Sequence, residues 1–175
     1  MQRFRNILCI LTQHGDQCRA LARSVELTED NQAQLKVVMV AEKISVGMGM
    51  PGDGPISRQL QEALLEDSRE ILDKLVEPFR SRADIDTRVL VGTPFLEVIR
   101  EVLRSGHDLV LKTAETPEWL ERLFGSDDLH LLRKCPCPVW LLKSGVAKRV
   151  GNILAGVDLV DADASEELTG RTARH

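Results

Sequence analysis

Segments of two different hydrophobic periods alternate along this chain, and that alternation leaves it few folds. Residues 6–11 (NILCIL), 35–41 (LKVVMVA), 85–91 (IDTRVLV), 108–111 (DLVL) and 138–143 (PVWLLK) are short runs rich in aliphatic and β-branched residues. Between them, apolar residues recur at helical spacing. Cys18, Leu21, Ala22 and Val25 do so within 16–27, and Leu64, Ile71, Leu72, Leu75, Val76 and Phe79 do so after Ser57. Phe95, Val98, Ile99, Val102 and Leu103 repeat the pattern after Pro94, and a short helix is expected over 126–134. Strands that are apolar on both faces belong to a parallel sheet covered by helices on both sides. Right-handed crossovers narrow the topology to a doubly wound, five-stranded α/β sandwich. A ligand site in such a sheet lies beyond the carboxyl ends of the strands where the winding reverses. Here that means the loops after the first and fourth strands, 12–16 and 112–126.

Local signals mark the joints. Ser57 is expected to cap the long helix, and Pro78 to end or kink it near Glu77. Gly92-Thr93-Pro94 reads as a strand-to-helix turn, with Thr93 as cap and Pro94 in the first turn, and Gly106 as the left-handed stop. Residues 46–55 (VGMGMPGDGP) form a Gly-rich loop, and Met48 and Met50 give it a surface suited to an adaptable contact.

Composition mostly excludes functions. With 27 Asp+Glu against 23 Lys+Arg and no polybasic block, the chain lacks the footprint of a nucleic-acid or anionic-membrane binder. Only 3% of residues are aromatic, too few for base-stacking platforms. No apolar run approaches the ~18 residues of a membrane span, and the chain reads as cytoplasmic. Cys9 and Cys18 read as small buried hydrophobes. Cys135-Pro-Cys137-Pro is a C-x-C without a second ligand pair at zinc spacing. His14, His107, His130 and His175 show no metal-ligand spacing, and no G-x-S-x-G elbow is present. No catalytic or metal-binding residue is assigned.

Several stretches resemble the universal stress protein family. Val91-Gly-Thr-Pro-Phe-Leu-Glu-Val-Ile99 is similar to its strand-to-helix turn, His107-Asp-Leu-Val-Leu111 to its fourth strand, and Gly125-Ser126 with Cys137-Pro-Val139 to its closing segment. More narrowly, residues 106–112 and 129–140 resemble the first module of tandem members of the UspE type. The resemblance implies a Rossmann-like fold of the adenine nucleotide alpha hydrolase kind. ATP-binding members carry G-x2-G-x9-G-[S/T] after the fourth strand, where glycines admit phosphates to backbone N–H groups at a helix N-terminus. Anchored on Gly125 and Ser126, that motif expects glycines where this chain has Lys112 and Glu115. The family's nucleotide-holding Asp at the end of the first strand is replaced by Thr12, and Asp127 and Asp128 compete with a phosphate at the helix N-terminus. The expectation is therefore a degenerate site with no cofactor. The alternative, an ATP-binding and weakly hydrolysing switch, would use Thr12, Lys112, Gly125 and Ser126. The resemblance also implies pairing through the fifth strand around Val139, Trp140 and Leu141, in a homodimer or with a second module.

A repeat completes the picture. Arg3-Phe-Arg-Asn-Ile-Leu8 recurs as Arg149-Val-Gly-Asn-Ile-Leu154, a spacing of 146 residues between Asn6 and Asn152. Residues 1–143 then form one module, 144–151 a linker and 152–175 the first strand and helix start of a second copy, as in a two-module protein cut short. In that copy Asp158 stands where the first has Thr12. The expected function is a non-enzymatic stress-response module that works by dimerisation and partner contacts. A third reading, from another class, is a redox sensor using Cys135 and Cys137.

Overall fold

The computed structural model describes residues 3–12, 17–44, 54–114 and 127–142. Five parallel strands, β1 (Asn6–Leu11), β2 (Gln34–Ala41), β3 (Ile85–Val91), β4 (Leu109–Thr113) and β5 (Val139–Leu142), form one sheet in the order β3-β2-β1-β4-β5. The helices are α1 (Gln17–Asn31), α2 (Pro55–Val76), α3 (Pro94–Ser105) and α4 (Asp127–Lys134). This is the doubly wound α/β architecture expected from the alternating periods, with the reversal between β1 and β4.

Because strand side chains alternate, each strand feeds two cores. Ile7, Cys9 and Leu11 of β1 join Leu35, Val37, Met39, Leu109 and Leu111 beneath α1 and α2, which contribute Leu21, Val25, Leu72 and Val76. Leu8 and Ile10 join Val38, Leu90 and Val110 beneath α3 and α4, which contribute Val98, Val102 and Leu131. Cys9 is fully buried as expected, and the Cys18 side chain lies outside the described residues. Each buried aliphatic side chain stabilises the fold by about 1.5–3 kcal/mol relative to exposure.

The long helix begins earlier than its expected cap. Gly54 is the N-cap and Pro55 the first helical residue, while Ser57 is buried inside the helix. Proline's fixed φ suits the first turn and its missing N–H costs nothing there. The end falls as expected: α2 stops at Val76 and Glu77–Phe79 tighten into a 3-10 turn around Pro78. Thr93 occupies the N-cap of α3 without a side-chain capping bond, and its carbonyl accepts from Glu97 N–H at 3.0 Å.

The buried stripe of α3 is rotated from the expected one. Leu103 is 68% exposed, and Glu101 is buried beside Val98 and Val102 instead. A carboxylate is tolerated there because Lys36 of β2 reaches it at 3.0 Å, Arg104 at 3.3 Å and Arg88 at 3.6 Å, and the Ser105 hydroxyl donates at 2.9 Å. Burial alone would raise the Glu101 pKa, but these partners outweigh it and hold the group below the usual range. His107, at the start of β4, is also buried, and neither ring nitrogen has a hydrogen-bond partner. Burial depresses its pKa, with Lys36 acting in the same direction, while the approach of the Asn6 backbone and the Glu101 and Asp108 carboxylates offset only part.

Two expectations follow. Gly106 ends α3 at φ 67°, with open space where a Cβ would lie. Gly92 has φ 145°, and a Cβ there would lie 2.8 Å from Glu97 Oε1. Both positions strain an L residue, so Gly106→Ala should cost about 1 kcal/mol in urea unfolding, and Gly92→Ala more because Glu97 must also move. For His107, the unfolded imidazole takes up a proton first, near its ordinary ~6.5. The folded state is thus fully favoured above about pH 6.5 and loses this contribution as pH falls toward the depressed folded value. The thermal midpoint should begin to decline below about pH 6.5, ahead of any carboxylate effect near ~4, and His107→Leu should flatten that decline. An unchanged pH slope would remove His107 from this role.

Candidate nucleotide site

In an open parallel sheet, two neighbouring strands whose connections run in opposite directions leave a crevice at their carboxyl ends. Here β1 and β4 are those neighbours, with Ile10 opposite Lys112. Thr12 follows β1 at the mouth of the crevice and is half-buried. Across from it, β4 runs on to Thr113, and Ala114 N–H donates to Leu142 of β5 at 2.9 Å. Thr12 and Lys112 are thus brought to the same end of adjacent strands, while Gly125 and Ser126 lie outside the described residues, as do Glu115, Trp119 and Arg122.

Lys112 falls on the same face of β4 as Val110, the face covered by α3 and α4. Its Nζ lies 2.7 Å from Oδ1 of Asp128, in the first turn of α4, and the two side chains are only 4% and 9% exposed. Asp127 and Asp128 open α4 and Arg133 and Lys134 close it, so the charges of the helix complement its own dipole. The position where the resemblance expects a glycine therefore holds a buried ammonium, and the helix start beside it holds the carboxylate bound to that ammonium. Sequence spacing brought out both residues but not their union. Lys112 to Asp128 is 16 positions across a loop, beyond any helical or strand rule.

The other sequence candidates scatter. His130 of α4 stacks on Phe95 of α3, with ring centroids 4.7 Å apart. His14, His175, Met48, Met50, the linker and the repeated segment at 152–175 lie outside the described residues. Among the described residues no group of three metal-ligating side chains gathers, and no helix is long and apolar enough to cross a membrane. On β5, Val139 packs toward the α3–α4 core, while Trp140 and Leu142 pack toward the α1–α2 core, with the Arg23 guanidinium 5.4 Å above the Trp140 ring. Sequence reasoning missed the buried network around Glu101, because a glutamate next to Val102 carries no sign of burial until Lys36 is seen across from it.

The fold is a doubly wound, Rossmann-like α/β sandwich with a crevice at the carboxyl ends of β1 and β4. The sequence pattern of the universal stress protein family matches residues 3–143, and the chain belongs to that family. It is 31% identical over 172 residues to universal stress protein E of Escherichia coli strain K12, covering 95% of this chain and 52% of that protein. The same-named protein of Photorhabdus laumondii is 28% identical over 171 residues, covering 94% of this chain and 53% of that protein. The chain thus spans about half the length of the curated relatives it matches. Among solved structures, universal stress protein UspA of Lactobacillus plantarum superposes with a TM-score of 0.68 at 18% identity, over 80% of this chain and 98% of that one. A universal stress protein in complex with cAMP does so with a TM-score of 0.60 at 16% identity, over 79% and 97%.

Removing one member of a buried ion pair strands the other charge. Asp128→Ala should therefore destabilise the protein by roughly 3–5 kcal/mol in urea unfolding, whereas the double change Lys112→Met with Asp128→Leu should lie near neutral. Equal losses from the single and double variants would show that the two charges are not coupled.

Proposed function

We propose that this chain carries a cytoplasmic, non-enzymatic stress-response module whose nucleotide crevice is degenerate and which acts through contacts with other protein surfaces. The observation that carries this reading is the buried contact between Lys112 and Asp128. A phosphate approaching Lys112 must displace Asp128 from an ammonium that is itself buried. At roughly 3–5 kcal/mol, that displacement weakens binding by about two to three and a half orders of magnitude. The dipole of α4 gives no help, since Asp127 and Asp128 already occupy its positive end. Thr12 in place of an Asp removes the carboxylate that the resemblance expects to hold a nucleotide at the end of β1.

Partner contacts fall on β5. It pairs with β4 on one edge, and its residues are only half-buried. Val139, Trp140 and Leu141 fit pairing with a second copy or with a following module of the same protein. The repeat of Asn6-Ile-Leu8 at Asn152-Ile-Leu154 supports a second module starting there, after a linker at 144–151.

A second reading has its own support. A structural neighbour holds cAMP, and Thr12, Lys112, Gly125 and Ser126 would be the groups for an adenine nucleotide such as ATP. Perchloric-acid extracts of the purified chain, read for adenine absorbance, separate the two together with thermal-shift titrations against Mg-ATP and cAMP. The degenerate site predicts extracts without adenine and a constant midpoint. Stoichiometric nucleotide, or a midpoint that climbs with ligand as RT ln(1 + [L]/Kd) requires, would overturn it in favour of the nucleotide switch.

A further inference from the structure

The turn between α4 and β5 carries two thiols in contact. Cys135 Sγ and Cys137 Sγ lie 3.7 Å apart, both residues are free cysteines, and both are half-buried against the α3–α4 core. The turn is held at each end. Cys135 N–H donates to Leu131 in the last turn of α4 at 2.9 Å, and the Pro138 carbonyl accepts from Val110 N–H of β4 at 3.0 Å. Pro136 and Pro138 restrict φ at the two positions after the cysteines. The backbone thus has little freedom to carry the sulfurs apart, and joining them asks for a further approach to about 2.05 Å.

We propose that Cys135 and Cys137 are a reversible dithiol–disulfide couple, oxidised by a hydroperoxide, with Cys135 as the attacking sulfur and Cys137 as the resolving one. The Cys135 thiolate attacks one peroxide oxygen. The O–O bond breaks, the departing alkoxide or hydroxide takes a proton to give an alcohol or water, and Cys135 becomes a sulfenic acid. The Cys137 thiol then gives up its proton and its sulfur attacks Cys135. The S–O bond breaks, and the leaving hydroxide combines with that proton as water. Two thiols and one hydroperoxide become one disulfide, one alcohol or water, and one further water. Two electrons pass from sulfur to the peroxide. A small dithiol restores the pair by exchange.

The order of attack follows from the contact itself. With the Cys137 thiol as donor across the 3.7 Å contact, and the Cys137 backbone acting the same way, the Cys135 pKa is pulled down to about 6 against the opposing effect of partial burial. The same hydrogen bond raises the pKa of Cys137, with burial and the nearby Asp108 carboxylate adding to the rise. Cys9 is the internal contrast: fully buried, its thiol is pushed up to about 12 and is not a nucleophile at neutral pH. Both members of the pair are instead open enough for a small peroxide to reach.

Trypsin cleavage after Lys134 and Lys143 places both sulfurs in one peptide, 135–143. The full chain is treated with hydrogen peroxide, blocked with iodoacetamide and digested. That peptide should appear unalkylated and two hydrogens lighter than the dithiol, and dithiothreitol before blocking should return it to the doubly alkylated form. In Cys137→Ala, dimedone should capture a sulfenic acid at Cys135. The pH midpoint for alkylation of Cys135 should rise in that variant from about 6 toward the ~8.5 of a free thiol. A peptide that stays doubly alkylatable after peroxide would overturn the proposal, as would oxidation that stops at a sulfinic acid or links separate chains. The wild-type mass shift needs no variant, so a misfolded Cys137→Ala protein leaves the test intact.

Discussion

Strand β1 has hydrogen-bonded neighbours on both edges and helices over both faces. Its backbone is laddered to β2 on one edge and β4 on the other, and five of its six side chains are buried. That double constraint organises the molecule. Because β1 must be covered on both sides, the chain winds outward first through β2 and β3 and then, in the other direction, through β4 and β5. The crevice between β1 and β4 is the geometric residue of that reversal. Thr12 and Lys112 lie at the same end of neighbouring strands because the central strand and the first strand of the second winding end side by side.

Two carboxylates are buried on the α3–α4 face, and each faces a lysine of the sheet, at opposite ends of it. Glu101 is held by Lys36, with Arg88, Arg104 and Ser105 around it, near the amino ends of β2 and β3. Asp128 is held by Lys112 near the carboxyl end of β4. An isolated buried charge is far too costly to persist, so each carboxylate requires a cation from the facing strand. The consequences differ only by location. The Glu101 network ties α3 to the sheet, whereas the Lys112–Asp128 pair ties α4 to the carboxyl end of β4, beside the crevice.

The amino and carboxyl ends of the sheet carry different chemistry. Parallel strands place all incoming turns at one end and all outgoing loops at the other. The Cys135-Pro-Cys137-Pro turn, which precedes β5, is therefore remote from the crevice that follows β1 and β4. The half-buried edge strand β5 connects the two, since it begins at the cysteine turn and ends beside Ala114.

Hydrophobic period by itself determined the element order and the parallel sheet, because the inner strands β1, β2 and β4 are buried on both faces and must be covered by helices on each side, while the edge strands β3 and β5 are more exposed. The punctuation by Pro55, Pro78, Pro94 and Gly106 came from backbone sterics, which are local; even so, Ser57 shows that a good capping residue yields to a Gly-Pro pair two residues earlier. Thr12 and Lys112 were legible as the residues at the crevice, as departures from a known spacing. What only the tertiary structure decided is which charges meet. Lys112 with Asp128, Lys36 with Glu101, and the exposure of Leu103 in exchange for Glu101 depend on the register between β2, β4 and the helices laid across them. The two sulfurs, adjacent but for one proline, were visible in the sequence as a pair, but their contact and their inequality arise from the turn that α4 and β4 hold in place. Periodicity records how often a residue faces the core, and says nothing of which residue faces it from the other side.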